Sequence, residues 1–167
     1  MSELSPYPAI PAPQPSGIGG WLLFPAISLF IGLPLLVYTF VDTFLPFADL
    51  EVWSALLNKQ SPYYNRTFAA IVAWEIVANL FLLFLLLWLT ALFFRKQSRA
   101  PDIYIFFMAC NFIIHLLDLI VTTVLIDNPD RDYLLEVLEL IRLACVCAIW
   151  IPYFRTSVRV KNTFTRT

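Results

Sequence analysis

Glu75, Asn79, Asn111, His115, Asp118, Glu139 and Arg142 are the residues that could do chemistry from within apolar stretches of this chain. Carboxylates beside an imidazole could exchange a proton as general acid and base. An arginine shared among acids could instead clamp helices in register. Acids, an amide and an imidazole around a gap could hold a polar ligand, a lipid headgroup or a proton. Spacing decides which residues share a face. Glu75 and Asn79 are four apart, Asn111, His115 and Asp118 lie one turn after another, and Glu139 and Arg142 are three apart, within reach of each other on a helix. A charge at the centre of a membrane helix costs roughly 2.5–3.5 kcal/mol on insertion scales, so each of these needs a partner.

Depth can be counted along each helix. At about 1.5 Å per residue, Glu75 lies about 12 Å from the start of its helix near Thr67, Asp118 about 12 Å from the end of its own near Ile126, and Arg142 about 13–14 Å from Tyr133. Asn79 and His115 sit about one turn deeper. The sequence therefore predicts a buried polar network in the outer half of a bilayer, with Arg142 shared among Glu75, Asp118 and Glu139, and Asn79, Asn111 and His115 completing the hydrogen bonds.

No nucleophile motif accompanies these groups, so no catalytic residue is named. No cofactor fingerprint is present. The one histidine in the chain has no pair of cysteines at ligand spacing, which argues against zinc, and it supplies at most one axial ligand for haem. No metal, no cofactor and no cofactor-binding residue are expected. Cys110, Cys145 and Cys147 lie in apolar runs, and the last two are spaced C-x-C rather than the redox C-x-x-C.

The elements that must position these groups are long and greasy. Residues 67–94 are apolar on every side, apart from Glu75 and Asn79, over roughly 40 Å, more than the roughly 30 Å of a hydrocarbon core. Further spans are read at about 21–40, 103–126 and 133–154. Gly32 and Pro34 interrupt the first, where the proline removes a backbone hydrogen bond. Within the loop between the first two spans, Leu50, Trp53, Leu56 and Leu57 fall at helical spacing, with Glu51, Ser54 and Asn58 mainly opposite. Residues 49–58 therefore read as a short interfacial helix. Asn65-Arg66-Thr67 is a glycosylation sequon, of use only in a eukaryote. Asn128-Pro129 marks a tight turn between the last two spans.

Composition agrees: 60 % of the 167 residues are hydrophobic, 14 % are charged and the mean hydropathy is +0.76. Too few polar residues remain to cover a soluble domain of this length. A net charge of −1 gives no reason to expect nucleic acid. The fold expected is all-α, an integral membrane four-helix bundle with the interfacial helix in its first outer loop. Residues 1–20 form a flexible leader rich in proline, 21–154 the membrane domain, and 155–167 a basic tail. Arg95, Lys96 and Arg99 with Arg155, Arg159, Lys161 and Arg166 outnumber Lys59, Arg66 and Arg131 on the opposite side, which puts both termini in the cytoplasm.

Two motifs near the ends carry a resemblance. Gly17-Ile18-Gly19-Gly20-Trp21-Leu22 opens the first span. The chain then closes on the run from Trp150 to Phe164, with Pro152, Tyr153, Arg159, Lys161 and Asn162 between. Together with Glu75, Asn79 and the Arg95-Lys96…Pro101 loop, they resemble the YdgK-like bacterial inner-membrane proteins of domain-of-unknown-function family 2569. The proline-rich leader is where this chain departs from them. The resemblance implies a four-helix inner-membrane protein and transfers no activity. The reading that follows is an uncharacterised multi-pass protein of the bacterial inner membrane, a non-enzymatic accessory or interaction protein. Its expected neighbours are the lipid bilayer and another inner-membrane protein or a second copy of itself. Two alternatives stay open: a small transporter or carrier subunit using the polar network as an ion or ligand site, and an intramembrane enzyme acting on a lipid or quinone.

Overall fold

The structure, a computed structural model, describes residues 14–125 and 133–166. The proline-rich leader up to Pro13 and the Asn128-Pro129 turn lie outside the described residues. The elements are helices: α1 (Leu23–Phe44), α2 (Leu50–Leu57), α3 (Arg66–Phe94), α4 (Ala100–Leu125), α5 (Tyr133–Thr156) and α6 (Val158–Thr163), with short 3-10 turns flanking α1 at Gly20–Leu22 and Leu45–Ala48. Three stretches are long and apolar enough to cross a membrane: Gly20–Ala48, Arg66–Phe94 and Ala100–Leu125. Helix α5 has 24 residues and carries Glu136, Glu139, Arg142 and Arg155.

Local sequence explains where the helices begin. The Asn65 side chain caps α3 by accepting from the Phe68 N–H at 2.9 Å, so the sequon asparagine is in use as a helix cap. Asp49 does the same for α2, accepting from the Glu51 N–H at 2.8 Å. Pro101 in the first turn of α4 costs no hydrogen bond, and Asp102 beside it complements the positive end of the helix dipole. Helix α3 ends in a Schellman turn: the Lys96 N–H bonds the Phe93 carbonyl and the Gln97 N–H the Leu92 carbonyl, both at 3.0 Å. Lys96 occupies the left-handed position with φ 56°, where glycine is usual.

The long helices lie in a row, α1 against α3, α3 against α4 and α4 against α5. Among the described residues α5 has no comparable packing on α1, so the long helices form an open row where a four-helix bundle was expected. The reason lies in where the core sits. A cluster of Leu22, Leu89, Phe93, Tyr104, Met108, Phe154, Val160 and Phe164, with smaller neighbours, draws α1, α3, α4, α5 and α6 together at the end where Gly17 meets Thr163. Toward the far end α5 has no fully buried side chain, and α4 has only Thr122. There α2 covers α3 instead: Leu56 is buried along with Ala69, Ile71 and Val72, while Leu50 and Leu57 are exposed.

The basic tail is part of the fold. Ser157 caps α6, Val160 and Phe164 are buried, and the Phe93 and Phe164 rings stand 5.1 Å apart. Arg166 joins the Lys96 turn through two backbone hydrogen bonds, from the Ser98 N–H to the Arg166 carbonyl at 2.7 Å and from the Arg166 N–H to the Lys96 carbonyl at 3.2 Å.

Candidate functional site

Two clusters follow from this arrangement, one at each end of the row. At the far end, α1, α3 and α4 enclose a cavity of about 210 Å³. Glu75 and Asn79 line it from α3, His115 and Asp118 from α4, and Thr39 and Thr43 from α1, with Leu36, Phe40, Trp74 and Ile114 among its apolar walls. A second cavity, of about 240 Å³, lies between α4 and α5, and it shares His115 and Asp118 with the first while adding Glu136 and Glu139. His115 and Asp118 therefore form the wall between two polar recesses.

The hydrogen bonds fix which end of each side chain is left over. The Asn79 amide nitrogen donates to the Glu75 carbonyl at 2.9 Å, one turn back, and this leaves its second N–H and the amide oxygen. His115 Nδ1 stands 2.9 Å from the Asn111 carbonyl. A carbonyl can only accept, so Nδ1 carries a proton there. Asp118 Oδ1 is closed off from solvent and has no hydrogen-bond partner among the described residues. The Thr122 hydroxyl does not reach that side chain; it donates to the Asp118 backbone carbonyl at 2.6 Å.

Arg142 is placed differently from the sequence expectation. Its ion-pair partner among the described residues is Glu139 on the same helix, and its side chain is 68 % exposed. It lines neither cavity. The sequence placed Arg142 in a buried network reaching Glu75 and Asp118; among the described residues it instead makes an exposed pair on α5, and no described Lys or Arg lines the first cavity. Depth was countable from sequence, but the rotation of α5 about its own axis was not. Asn111 joins through its backbone alone. Thr39 and Thr43, missed in the sequence, carry the signal that could have found them: two hydroxyls four apart, just past Pro34 in α1.

At the other end the two motifs that carried the resemblance meet. Cβ atoms built on Gly19 and Gly20 would lie 3.3 Å from Arg159 Nη1 and 3.6 Å from Arg159 Cζ, so the guanidinium rests directly over this turn. Gly20 needs its glycine for a second reason, a φ of +56°. The Thr163 hydroxyl reaches the Gly17 carbonyl at 3.2 Å, and the Asn162 amide reaches Gln14 Oε1 at 3.3 Å. Trp150 packs edge-on to Tyr153 at 5.4 Å, Pro152 sits exposed inside α5, and Lys161 is exposed. Tyr104 stacks on Phe154 at 4.3 Å beneath them. These tail residues form a packing lock, with the polar cavities at the far end.

No solved structure matches the chain. The inner membrane protein YdgK of Escherichia coli (strain K12) is similar to it, 27 % identical over 155 residues that make up 90 % of this chain and 94 % of the relative. The model of the family described as protein of unknown function, DUF2569, matches residues 15–165. That match runs from just before the glycine turn to just beyond the tail helix locked onto it, with all the long helices between, and the chain belongs to that family.

Proposed function

We propose that this protein crosses the bacterial inner membrane four times with both termini in the cytoplasm, and that it serves as a non-enzymatic accessory protein which receives a partner at the open side of its helix row. The observation that carries this reading is the missing closure between α1 and α5. A four-helix bundle closed on itself hides its polar side chains, whereas an open row presents the groups between α1 and α5 to whatever lies beside them in the bilayer. The name of the YdgK relative and three membrane-capable helices support the inner-membrane location. Helix α5, 24 residues long and packed on α4, supplies the fourth crossing. Orientation rests on the basic residues: Arg95, Lys96, Arg99, Arg155, Arg159, Lys161 and Arg166 gather at the end where the glycine turn meets the tail helix, against Lys59 and Arg66 at the other among the described residues.

Two experiments test this. A reporter fused at the C-terminus should read cytoplasm and one inserted at Lys59 periplasm; a periplasmic signal from the C-terminal fusion would reverse the topology. A photo-crosslinking residue at Thr39 or Leu135, beside the cavities, should give one discrete adduct with another membrane protein or a second copy, and one at lipid-facing Phe84 should not. Identical adduct patterns from all three positions would remove the accessory reading. The far-end cavity favours a second reading, a small carrier that holds an ion or ligand among Glu75, Asn79, His115 and Asp118.

A further inference from the structure

We infer that the seam between α3 and α4 holds one phospholipid of the far-end leaflet, with its phosphate at Arg66 and an acyl chain lying along the two helices. This requires α3 and α4 to cross the bilayer, and neither the accessory role nor the orientation of the termini enters it. Two recesses, of about 630 and 340 Å³, follow one another along the seam. Trp74 and Leu117 line both, so they form one groove, and each part falls in the range of roughly 300–1,000 Å³ usual for ligand sites. Among the described residues its walls come from α3 and α4 alone. Sequence spacing builds it. On α3, Arg66, Ala70 and Trp74 stand four apart, and on antiparallel α4 so do Leu117, Val121 and Leu125. Ala70 leaves room between the two rows. Below Thr67 the lining is Ala, Val, Ile, Leu, Phe, Trp and one Cys, and Trp74, Val77, Phe81 and Ile113 remain exposed.

Length and charge choose the occupant. From Arg66 to Phe81 the groove runs about 22 Å along α3, at about 1.5 Å per residue. A headgroup layer of roughly 5–7 Å over half of a roughly 30 Å hydrocarbon core comes to about the same depth. Arg66 therefore stands at phosphate level when Phe81 reaches the midplane. Beyond Phe81, Leu86 and Leu89 join Tyr104 and Met108 in the buried cluster, and the seam is closed. The groove is thus one leaflet long, with a cation at its outer end and a stop at its inner one. Arg66 is exposed, lines the mouth and makes no ion pair among the described residues. Its guanidinium keeps its charge and offers paired N–H donors that match phosphate oxygens, and the Thr67 hydroxyl beside it adds another donor. An apolar helix of a partner would fill the groove and leave that guanidinium unmatched. A phospholipid brings both the chain and the anion, and the surrounding bilayer supplies it.

The test titrates the full chain, stripped of lipid in dodecyl maltoside, with dioleoylphosphatidylglycerol and reads the adducts by native mass spectrometry. One lipid per chain should saturate. Dioleoylglycerol, which has the same chains and no phosphate, should bind at least about tenfold more weakly. Arg66→Gln should lose the same factor, and Arg66→Lys, which keeps the charge, much less. Ala70→Phe fills the upper groove from an exposed position and should weaken binding at least about tenfold. Val77→Trp fills the lower part and serves should Ala70→Phe fail to fold. Phe84→Ala, outside the groove, should bind as the parent chain does. Adducts that accumulate without saturating, alike in every variant, are annular lipid only and overturn the proposal. Equal binding of dioleoylglycerol overturns it too. So does a loss in Arg66→Gln without one in the groove-filling variants, or the reverse, since phosphate and chain must be held together. In cells, a photo-crosslinking residue at Val77 should yield a lipid adduct, and a protein adduct there would give the groove to a partner helix and end the lipid assignment. The reporter fusions can reverse the topology without moving any of these readouts.

Discussion

Individual side chains here separate into those that hold the fold and those that burden it. Asp118 belongs to the second group: a carboxyl oxygen closed off without a hydrogen-bond partner among the described residues costs about 1–3 kcal/mol of desolvation. Asp118→Asn, which removes the charge and keeps the shape, should therefore leave the empty protein in detergent equally stable or more stable by up to about 2 kcal/mol. A thermal melt showing a large loss would instead make Asp118 a structural clamp. The glycine turn makes a sharper comparison. At Gly20 a new Cβ is penalised by the left-handed backbone whatever room it has, so Gly20→Ala should cost about 1–2 kcal/mol. Gly19 has extended backbone, with φ −168°, and its new Cβ would meet only the far end of a flexible side chain at 3.3 Å. Gly19→Ala should consequently cost less than about 0.5 kcal/mol, and melts of the two variants side by side test the difference. The two glycines look alike in the sequence. Only the backbone angles and the position of Arg159 tell them apart.

Among the elements, the turn between α3 and α4 shows how far local sequence reaches. The start of α3 is legible because Asn65 is a strong capping residue, and the start of α4 because Pro101 and Asp102 suit a first turn. Nothing local announces that Lys96 takes the left-handed place in a Schellman turn. The reason is tertiary: Arg166, from the far end of the chain, bonds the Lys96 carbonyl and the Ser98 N–H and fixes the turn from outside. Lys96→Gly relieves the backbone while leaving those main-chain bonds in place. It should raise stability by about 1 kcal/mol, read as a higher apparent Tm, and a fall would mean that the lysine side chain contributes more than its backbone costs. Helix α5 illustrates the opposite limit. Spacing alone made Glu139 and Arg142 a pair, and the structure pairs them. The partners of α5 on other helices depended on a rotation that a helix apolar on most sides does not record. The four polar residues lining the first cavity from α3 and α4 were easier, since two antiparallel helices in contact need only equal depth to bring Glu75, Asn79, His115 and Asp118 together.

Over the whole molecule, packing runs from tight to open along the row. The hydrophobic pattern shows that the helices are apolar but not which parts of them touch, because lipid-facing and core-facing residues are alike in composition. Phe164 and Phe84 make the point: the first is 5 % exposed against Phe93, the second 62 % exposed. Phe164→Ala should cost about 3–5 kcal/mol as a core truncation, and Phe84→Ala much less, since detergent or lipid fills the space it leaves. The same gradient governs opening. Where Leu22, Phe93, Tyr104, Phe154, Val160 and Phe164 interlock, a helix can leave only by breaking contacts with all the others. Around the cavities, α1 and α5 each lean on one neighbour. Hydrogen exchange of the protein in detergent should accordingly find the peptides of residues 20–29, 86–108 and 150–164 protected far longer than those of 36–44, 114–125 and 133–142. Replacing Phe164 with Ala should erode the first group toward the second, because the tail helix is the piece that ties the two ends of the chain to one another. Uniform protection along every long helix would show that the row opens as a single unit, and that the cavities are held as firmly as the lock.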